Sequence, residues 1–188
     1  MDSIELLTTR ASNARLSEPA PDATTLELAF EAAARAPDHA GLRPWRIRLV
    51  RGAARERLGQ LMTDAVLKAN PRATSAQLEK TAAKVLRAPL IIVVGAAVTP
   101  HPKVPELEQL LSAGAAAHAI LLMLHARGYA GIWRTGGAAY DPALKTALGF
   151  ATSDAIVGFI YCGTATQATP DVPRVKPELF VSDWTGDR

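Results

Sequence analysis

Leu90-Ile91-Ile92-Val93-Val94 is an unbroken apolar run with the length of a β-strand. A strand with one exposed face alternates apolar and polar residues, whereas a strand without polar positions has to be covered on both faces. The run therefore predicts a central strand in a sheet that carries helices on each side.

Three other segments have the pattern of strands. Trp45 to Leu49 alternates apolar and charged residues, which is typical of a strand with one buried face. Tyr129 to Arg134 is a short strand that enters a Thr135-Gly136-Gly137 turn, and Ile156 to Cys162 is the last strand.

The remaining segments of regular structure are helical. Met1–Thr9 predicts a short helix with Ile4 and Leu7 inward, followed by a loop from Ser12 to Pro21. Asp22 can cap a helix that Pro37 ends, because the residue before a proline is pushed out of helical geometry. The apolar positions of that helix have helical spacing: Leu26, Ala29, Phe30 and Ala33.

Two helices are predicted before the central strand, the second with Ser75 as its cap, and a small helix runs from Asp141-Pro142 to Leu148. The order of elements does not repeat as βαβ units. The sequence therefore predicts one domain, residues 1–188, of the α+β class, with helices packed on a mixed sheet.

Glu106 to Arg127 is the longest predicted helix, closed by Gly128. From Leu110 onward it is apolar on nearly all sides, and a chain of 19.9 kDa has difficulty surrounding such a helix alone. We therefore expect a partner subunit. Polar or small residues interrupt the stretch, which falls short of the roughly 20 apolar residues of a membrane span, so we expect no membrane contact.

Composition argues against several other classes of protein. The formal charge is only +3, the basic residues are scattered, and 5% of residues are aromatic, so we do not expect nucleic-acid binding. Cys162 is the only cysteine and no leader pattern opens the sequence, which favours the cytoplasm. The motifs of zinc, Rossmann and P-loop sites are absent, so we expect no metal site and name no catalytic residue.

Three short segments are candidates for binding. The Arg10 guanidinium and the Ser12 hydroxyl, on either side of Ala11, could donate hydrogen bonds to phosphate oxygens. The alternative is that they form a solvated helix end. Arg35 and His39 bracket the break at Pro37, where the histidine could donate to a ligand or be an ordinary loop histidine.

The third candidate is Trp133-Arg134-Thr135 at the glycine turn. An aromatic ring and a cation there could cover the edge of a flavin and stabilise negative charge on it, or be a core tryptophan beside a surface arginine. Taken alone, the residues indicate an anion-binding α+β domain that forms oligomers.

Several of these segments, in this order and spacing, resemble the nitroreductase family from end to end, most closely a short bacterial branch of NAD(P)H nitroreductases. The motifs are Arg10-x-Ser12, Arg15–Pro21, Arg35-Ala36-Pro37-Asp38-His39, Pro44-Trp45, Arg87–Ile91, Lys103-Val104-Pro105, Ser112-Ala113-Gly114 and Gly131-Ile132-Trp133-Arg134.

The resemblance implies a nitroreductase-like homodimer with helices around a mixed or antiparallel sheet, an extended C-terminal tail, and two FMN sites shared between the subunits. Arg10, Ala11 and Ser12 would hold the phosphate side, Ala11 through its backbone. Arg35 and His39 would contact FMN, from the same or the opposite subunit, and Trp133, Arg134 and Thr135 would line the flavin.

The activity implied is hydride transfer from NAD(P)H to a nitroaromatic, quinone or similar electron-poor acceptor by a ping-pong mechanism. The alternatives are other flavin chemistry (flavin breakdown or dehalogenation), an FMN-binding protein without reductase activity, and a flavin-free dimer. Three residues depart from the family pattern: Ala11 replaces a commonly basic residue, Arg43 a frequent glutamine, and Thr135 a serine.

Overall fold

The computed structural model describes residues 1–169 and 171–186. The helices are α1 (Ser3–Thr9), α2 (Ala23–Ala33), α3 (Ala54–Ala69), α4 (Ser75–Lys84), α5 (Glu106–Ala126) and α6 (Pro142–Ala147). The strands are β1 (Leu16–Ser17), β2 (Trp45–Arg51), β3 (Leu90–Ala96), β4 (Ala130–Arg134) and β5 (Ala155–Ala165). The predicted α+β class is confirmed.

The central strand of the sheet is β3, as predicted, and it pairs with β2 on one side and β5 on the other. The long strand β5 also pairs with β4 and, at its end, with the two residues of β1. Every one of these pairings is antiparallel, so of the mixed or antiparallel sheet that was expected, the described part of the chain has the antiparallel form.

Each face of β3 carries its own hydrophobic core, because successive side chains of a strand point to opposite faces. Leu90, Ile92 and Val94 face α2 and α5, whereas Ile91 and Val93 face the side of α3 and α6. All seven residues of β3 are buried, which confirms that helices cover the strand on both sides.

The helix α2 begins where the sequence predicted. The Asp22 carboxylate accepts a hydrogen bond from the Thr25 backbone N–H at 2.7 Å, and this bond lowers the pKa of Asp22 below its usual value. Leu26, Ala29 and Ala33 are buried against α5, so the helical spacing of these residues placed them correctly on the core face.

The helix α5 has the length and the apolar composition of a membrane span, although its sequence was expected to fall short of one. It packs against α2 and the sheet, and Ile120 and Leu124 are fully buried there. The core helix of a folded domain can have the same length and composition, and this packing accounts for the apolar residues on the inner side of α5.

Three local predictions were wrong. Ile4 and Leu7 are 73% and 64% exposed, because α1 lies on the surface and buries none of its residues. Thr74, not Ser75, caps α4, because only Thr74 has Gln77 three residues later to complete a reciprocal capping box. The predicted loop from Ser12 to Pro21 contains β1.

The C-terminal segment follows β5 and presents several large apolar side chains to solvent. Leu179, Phe180 and Trp184 are 78%, 72% and 88% exposed. The segment therefore does not use these side chains to cover its own subunit.

Candidate functional site

The first predicted segment lies beside the sheet edge at the start of β4. The Asn13 backbone N–H donates to the Gly131 carbonyl at 3.1 Å, so residues 10–13 run next to that strand. Arg10 and Ala11 line a groove of about 240 Å³ together with His125 of α5 and Thr169. We call this the Arg10 groove.

The third predicted segment lies at the other end of β4. Arg134 and Thr135 line a groove of about 340 Å³ with Lys84, Thr81 and Tyr161, which we call the Arg134 groove. The strand β4 has five residues, so four residue steps, about 13 Å at the usual rise per residue, separate its two ends. One edge strand therefore connects the Arg10 groove to the Arg134 groove.

The Arg134 guanidinium lies over the Tyr161 ring, 5.8 Å from its centroid. Burial raises the pKa of Tyr161 above its usual value, with the cations Arg134 and Arg87 acting in the opposite direction. The phenol therefore stays neutral at physiological pH, and the positive charge of Arg134 is not cancelled by a phenolate.

The Arg134 groove continues into a larger one of about 430 Å³, and the two share Val66, Gly137 and Ala138. Tyr140, which is 78% exposed, lines the larger groove. The glycine turn after β4 thus opens onto continuous space, part of it lined by cations and hydroxyl groups.

Trp133 lies away from both grooves. Its indole packs against the core formed by α2, α5 and one sheet face, and its Nε1–H donates to the Val157 carbonyl at 3.3 Å. A Cβ placed on Gly158 would lie 2.0 Å from Nε1, so the indole rests directly on that glycine. The Nε1 edge of the indole therefore packs in the core, while the residue as a whole is only partly buried.

The second predicted segment lies in a loop against the start of α5. His39 lines a groove of about 350 Å³ with Glu108, Leu111 and Ser112, which we call the His39 groove. The His39 Nδ1 lies 2.7 Å from the Glu108 carboxylate. Arg35 is exposed just after the end of α2 and lines none of these grooves. Ser12 is also exposed and lines none of them.

Arg43 follows His39 in this loop with a φ of 48°, in the left-handed region that favours glycine. Its N–H donates to the Asp38 carboxylate at 2.7 Å, and its carbonyl accepts from Arg46 at 3.0 Å. The residue that departs from the family pattern thus helps to fix the loop through its backbone.

The predicted arginines have no carboxylate partner in the described part of the chain. Only two ion pairs occur there, His39 with Glu108 and Lys68 with Asp141. Among the residues that the structure describes, no aspartate or glutamate lines the Arg10 groove or the Arg134 groove, and Asp141 in the larger groove is paired with Lys68. Arg10 and Arg134 are therefore free to pair with an anionic ligand.

Four residues on helices line these grooves without having been predicted from the sequence: Thr81, Lys84, Glu108 and His125. They lie on α4 and α5, far along the chain from the segments that they meet. Only the packing of helices brings them there, and their local patterns carried no signal of it.

The two ends of α5 meet different parts of the predicted site. Glu108 contacts His39, and His125 Nε2 lies 3.4 Å from the hydroxyl of Thr9, next to Arg10. Residues 108 and 125 are separated by about 25 Å along the helix, at 1.5 Å per residue. Within one chain, His39 and Arg10 are therefore too far apart for one small ligand to contact both.

Comparisons with known proteins agree on one family. The model of the nitroreductase family matches residues 7–164. "Putative NAD(P)H nitroreductase YdjA" of Escherichia coli K12 is 39% identical over 183 residues, 97% of this chain and 99% of that protein.

Solved structures show the same fold. A nitroreductase-like family protein from Bacillus cereus superposes with a TM-score of 0.84 at 21% identity, covering 99% of this chain and 97% of that one. The FMN-dependent nitroreductase NfnB from Mycobacterium smegmatis, solved in complex with NADPH, has a TM-score of 0.75 at 18% identity, covering 97% of both chains.

Proposed function

Since the chain belongs to the nitroreductase family, we propose that it is an FMN-dependent oxidoreductase that transfers hydride from NAD(P)H to a nitroaromatic, quinone or similar electron-poor acceptor. The name of the Escherichia coli relative and the description of the Mycobacterium smegmatis enzyme support this reaction class. The observation that carries the proposal is the pair of grooves at the two ends of β4, each with an arginine that has no acidic partner among residues 1–169 and 171–186.

The donor set of these grooves fits FMN. Arg10 and the Thr169 hydroxyl suit a phosphate, because a guanidinium and a hydroxyl both donate to phosphate oxygens. At the other end of β4, Arg134 and Lys84 provide positive charge beside the Thr135 hydroxyl, which suits a ring that carries negative charge when reduced. When bound, FMN supplies the two-electron chemistry that no side chain of this protein provides.

We propose further that two copies of the chain share each FMN site. In a dimer with two-fold symmetry the same surface of both subunits is used, so two α5 helices packed antiparallel place the first turn of one near the last turn of the other. His39 of one protomer then lies next to Arg10 of its partner. This arrangement removes the separation of about 25 Å along the helix that prevents a site within one chain.

The exposed face of α5 supports this dimer. Leu107 and Leu111 are 64% and 63% exposed, and Ala115, Leu122 and Gly114 continue the same stripe at helical spacing. Large side chains of this kind are normally covered in a stable protein, and small residues in the middle of the stripe allow two helices to approach closely. The exposed apolar residues of α1 and of the C-terminal segment provide further surface for a second copy.

The proposed order of reaction is ping-pong, in which oxidised NAD(P)⁺ leaves before the acceptor binds in the same place. The residues hold the cofactor, and Arg134 and Lys84 stabilise negative charge, while solvent supplies protons to the product. We therefore assign no acid or base among the side chains.

The test is an absorbance spectrum of the purified protein, recorded before and after anaerobic addition of NADPH or NADH, followed by steady-state oxidation with a nitroaromatic and a quinone. We expect a flavin spectrum that bleaches on reduction and turnover that depends on the acceptor. Bound FMN that neither nucleotide reduces would favour an FMN-binding protein. Reduction without turnover of either acceptor would favour flavin breakdown or dehalogenation, and a colourless protein that does not bind added FMN would reject the proposal.

A further inference from the structure

Glu108 joins the loop that carries His39 to the first turn of α5. The distance from His39 Nδ1 to Glu108 Oε2 is 2.7 Å, the length of a charge-assisted hydrogen bond, and the two residues are 69 positions apart. The side chains are 54% and 44% exposed, so the pair stands at the rim of the His39 groove and not in the core.

The first residue of β2, which directly follows the loop, is attached to the same helix. Trp45 Nε1–H donates to the Ser112 hydroxyl at 2.9 Å, and Ser112 lies one helical turn after Glu108. Within the loop, Ala40 and Arg43 have φ values of 61° and 48°, and the Asp38 carboxylate accepts the Arg43 N–H. The backbone around His39 is therefore held without Glu108, which leaves the Glu108 contact to act on the imidazole ring.

The chemistry of the pair decides which ring nitrogen is free. An ionised carboxylate only accepts hydrogen bonds, so the Nδ1 that faces Glu108 carries a hydrogen. In residues 1–169 and 171–186, the other nitrogen, Nε2, has no hydrogen-bond partner. A carboxylate on one nitrogen fixes both the tautomer and the orientation of a histidine ring, as it does for histidines that bind metals.

We propose that Glu108 is a positioning residue for the cofactor: it holds Nδ1 of His39 and thereby directs Nε2 at the FMN bound in the shared site. This inference rests on the proposed function. Nε2 then contacts FMN, as a donor where the ring is an imidazolium and as an acceptor where it is neutral, and the Glu108 carboxylate fixes its direction in either form. Glu108 itself does not touch the ligand.

The first experiment measures the dissociation constant of FMN by quenching of flavin fluorescence in Glu108→Ala, Glu108→Gln and the matched control Glu106→Gln. Glu106 lies in the same first turn of α5 and makes no bond to His39. We expect Glu108→Ala to weaken FMN binding about tenfold, the low end of the loss seen when a ligating histidine loses its orienting partner. Glu108→Gln should lose less, since its amide oxygen still accepts from Nδ1, and Glu106→Gln should bind as the wild type.

The second experiment identifies the nitrogen. The amide nitrogen of glutamine lies near the position of Nε2 of a histidine, and that of asparagine near Nδ1. We expect His39→Gln to retain FMN affinity within about threefold and His39→Asn to lose as much as His39→Ala. In the His39→Gln background, Glu108→Ala should change the affinity less than twofold, because Glu108 acts only through the histidine ring.

The outcomes separate the inference from the function on which it rests. Suppose that the wild type binds FMN. The positioning role is overturned if Glu108→Ala binds FMN as tightly as the wild type. It is also overturned if Glu108→Ala weakens FMN binding by the same factor in the His39→Gln background as in the wild-type background. Greater retention in His39→Asn than in His39→Gln would overturn the assignment to Nε2. If the wild type binds no FMN at all, the proposed function falls, and this inference with it.

Discussion

Replacing Gly158 by alanine tests the position of Trp133, and with it the support of Arg134 at the end of β4. The added Cβ would lie 2.0, 2.6 and 2.9 Å from three atoms of the indole five-membered ring. All three distances are below the closest approach of a real Cβ, so either the indole or the strand has to move. The displaced indole also loses its bond from Nε1–H to the Val157 carbonyl.

The expected cost combines opposing effects. Overpacking of a core costs about 1–3 kcal/mol, and the lost hydrogen bond adds about 1 kcal/mol. Replacing a glycine restricts the unfolded chain, which returns about 0.4–1 kcal/mol. We therefore expect Gly158→Ala to lower the free energy of unfolding by about 1–3 kcal/mol, and to weaken FMN binding as well, because Arg134 follows Trp133 directly.

The assay is urea denaturation at one fixed protein concentration, since a dimer gains stability with concentration. Gly137→Ala is the control, because its Cβ would meet no atom within 4 Å and the position has no positive φ. That substitution also replaces a glycine by alanine, but it should leave the urea midpoint close to that of the wild type. Trp133→Leu in the Gly158→Ala background should restore part of the loss. An unchanged urea midpoint for Gly158→Ala would show that the indole does not rest on Gly158.

Three further predictions concern single side chains. Arg10→Ala should weaken FMN binding by about 1.5–3 kcal/mol, the value of a hydrogen bond to a charged group. The substitution Arg72→Ala, at an exposed position, should leave FMN binding unchanged. Equal affinities of Arg10→Ala and the wild type in a fluorescence titration would place the phosphate elsewhere. Burial raises the pKa of Cys162 to about 12, so the folded protein should not react with a thiol reagent at pH 8. The protein in denaturant should react once per chain. Fast reaction of the folded protein would contradict the burial of Cys162. Asp141 accepts the Leu144 N–H at 3.0 Å, and this bond, with Lys68, lowers the pKa of Asp141; the contribution to stability is therefore present at neutral pH and lost as the pH falls through the lowered pKa. Asp141→Ala should lower the free energy of unfolding by about 1 kcal/mol at pH 7 and by progressively less in acid. Thermal unfolding of the variant and the wild type across the pH range measures this. A difference in stability that stays constant with pH would refute the assignment.

The sequence predicted the elements that local patterns determine. The unbroken apolar run of β3 required cover on both faces, and the spacing of Leu26, Ala29 and Ala33 placed the core face of α2. Asp22 and Gly128 marked the ends of helices through their own backbone and side-chain chemistry. Where one residue type has a strong local preference, sequence alone was sufficient.

Local patterns did not determine contacts made at long range. Ile4 and Leu7 have the spacing of a buried face, but α1 leaves them on the surface of the single chain. The indole of Trp133 packs on Gly158, since alternation along β4 sends it to the face opposite Arg134, and its place as a flavin contact stays a prediction. The pairing of His39 with Glu108 depends on the packing of α5 beside a loop, which no spacing in the sequence encodes.

The most direct test of the shared site is FMN binding by a mixed dimer, in which one tagged chain carries Arg10→Ala and the other His39→Ala. If each site takes Arg10 from one chain and His39 from the other, both substitutions fall in one site and the other site stays intact. The account predicts that the mixed dimer binds one FMN with wild-type affinity, whereas each homodimeric variant binds FMN weakly at both sites. A mixed dimer with two equally weakened sites and no intact one would contradict it.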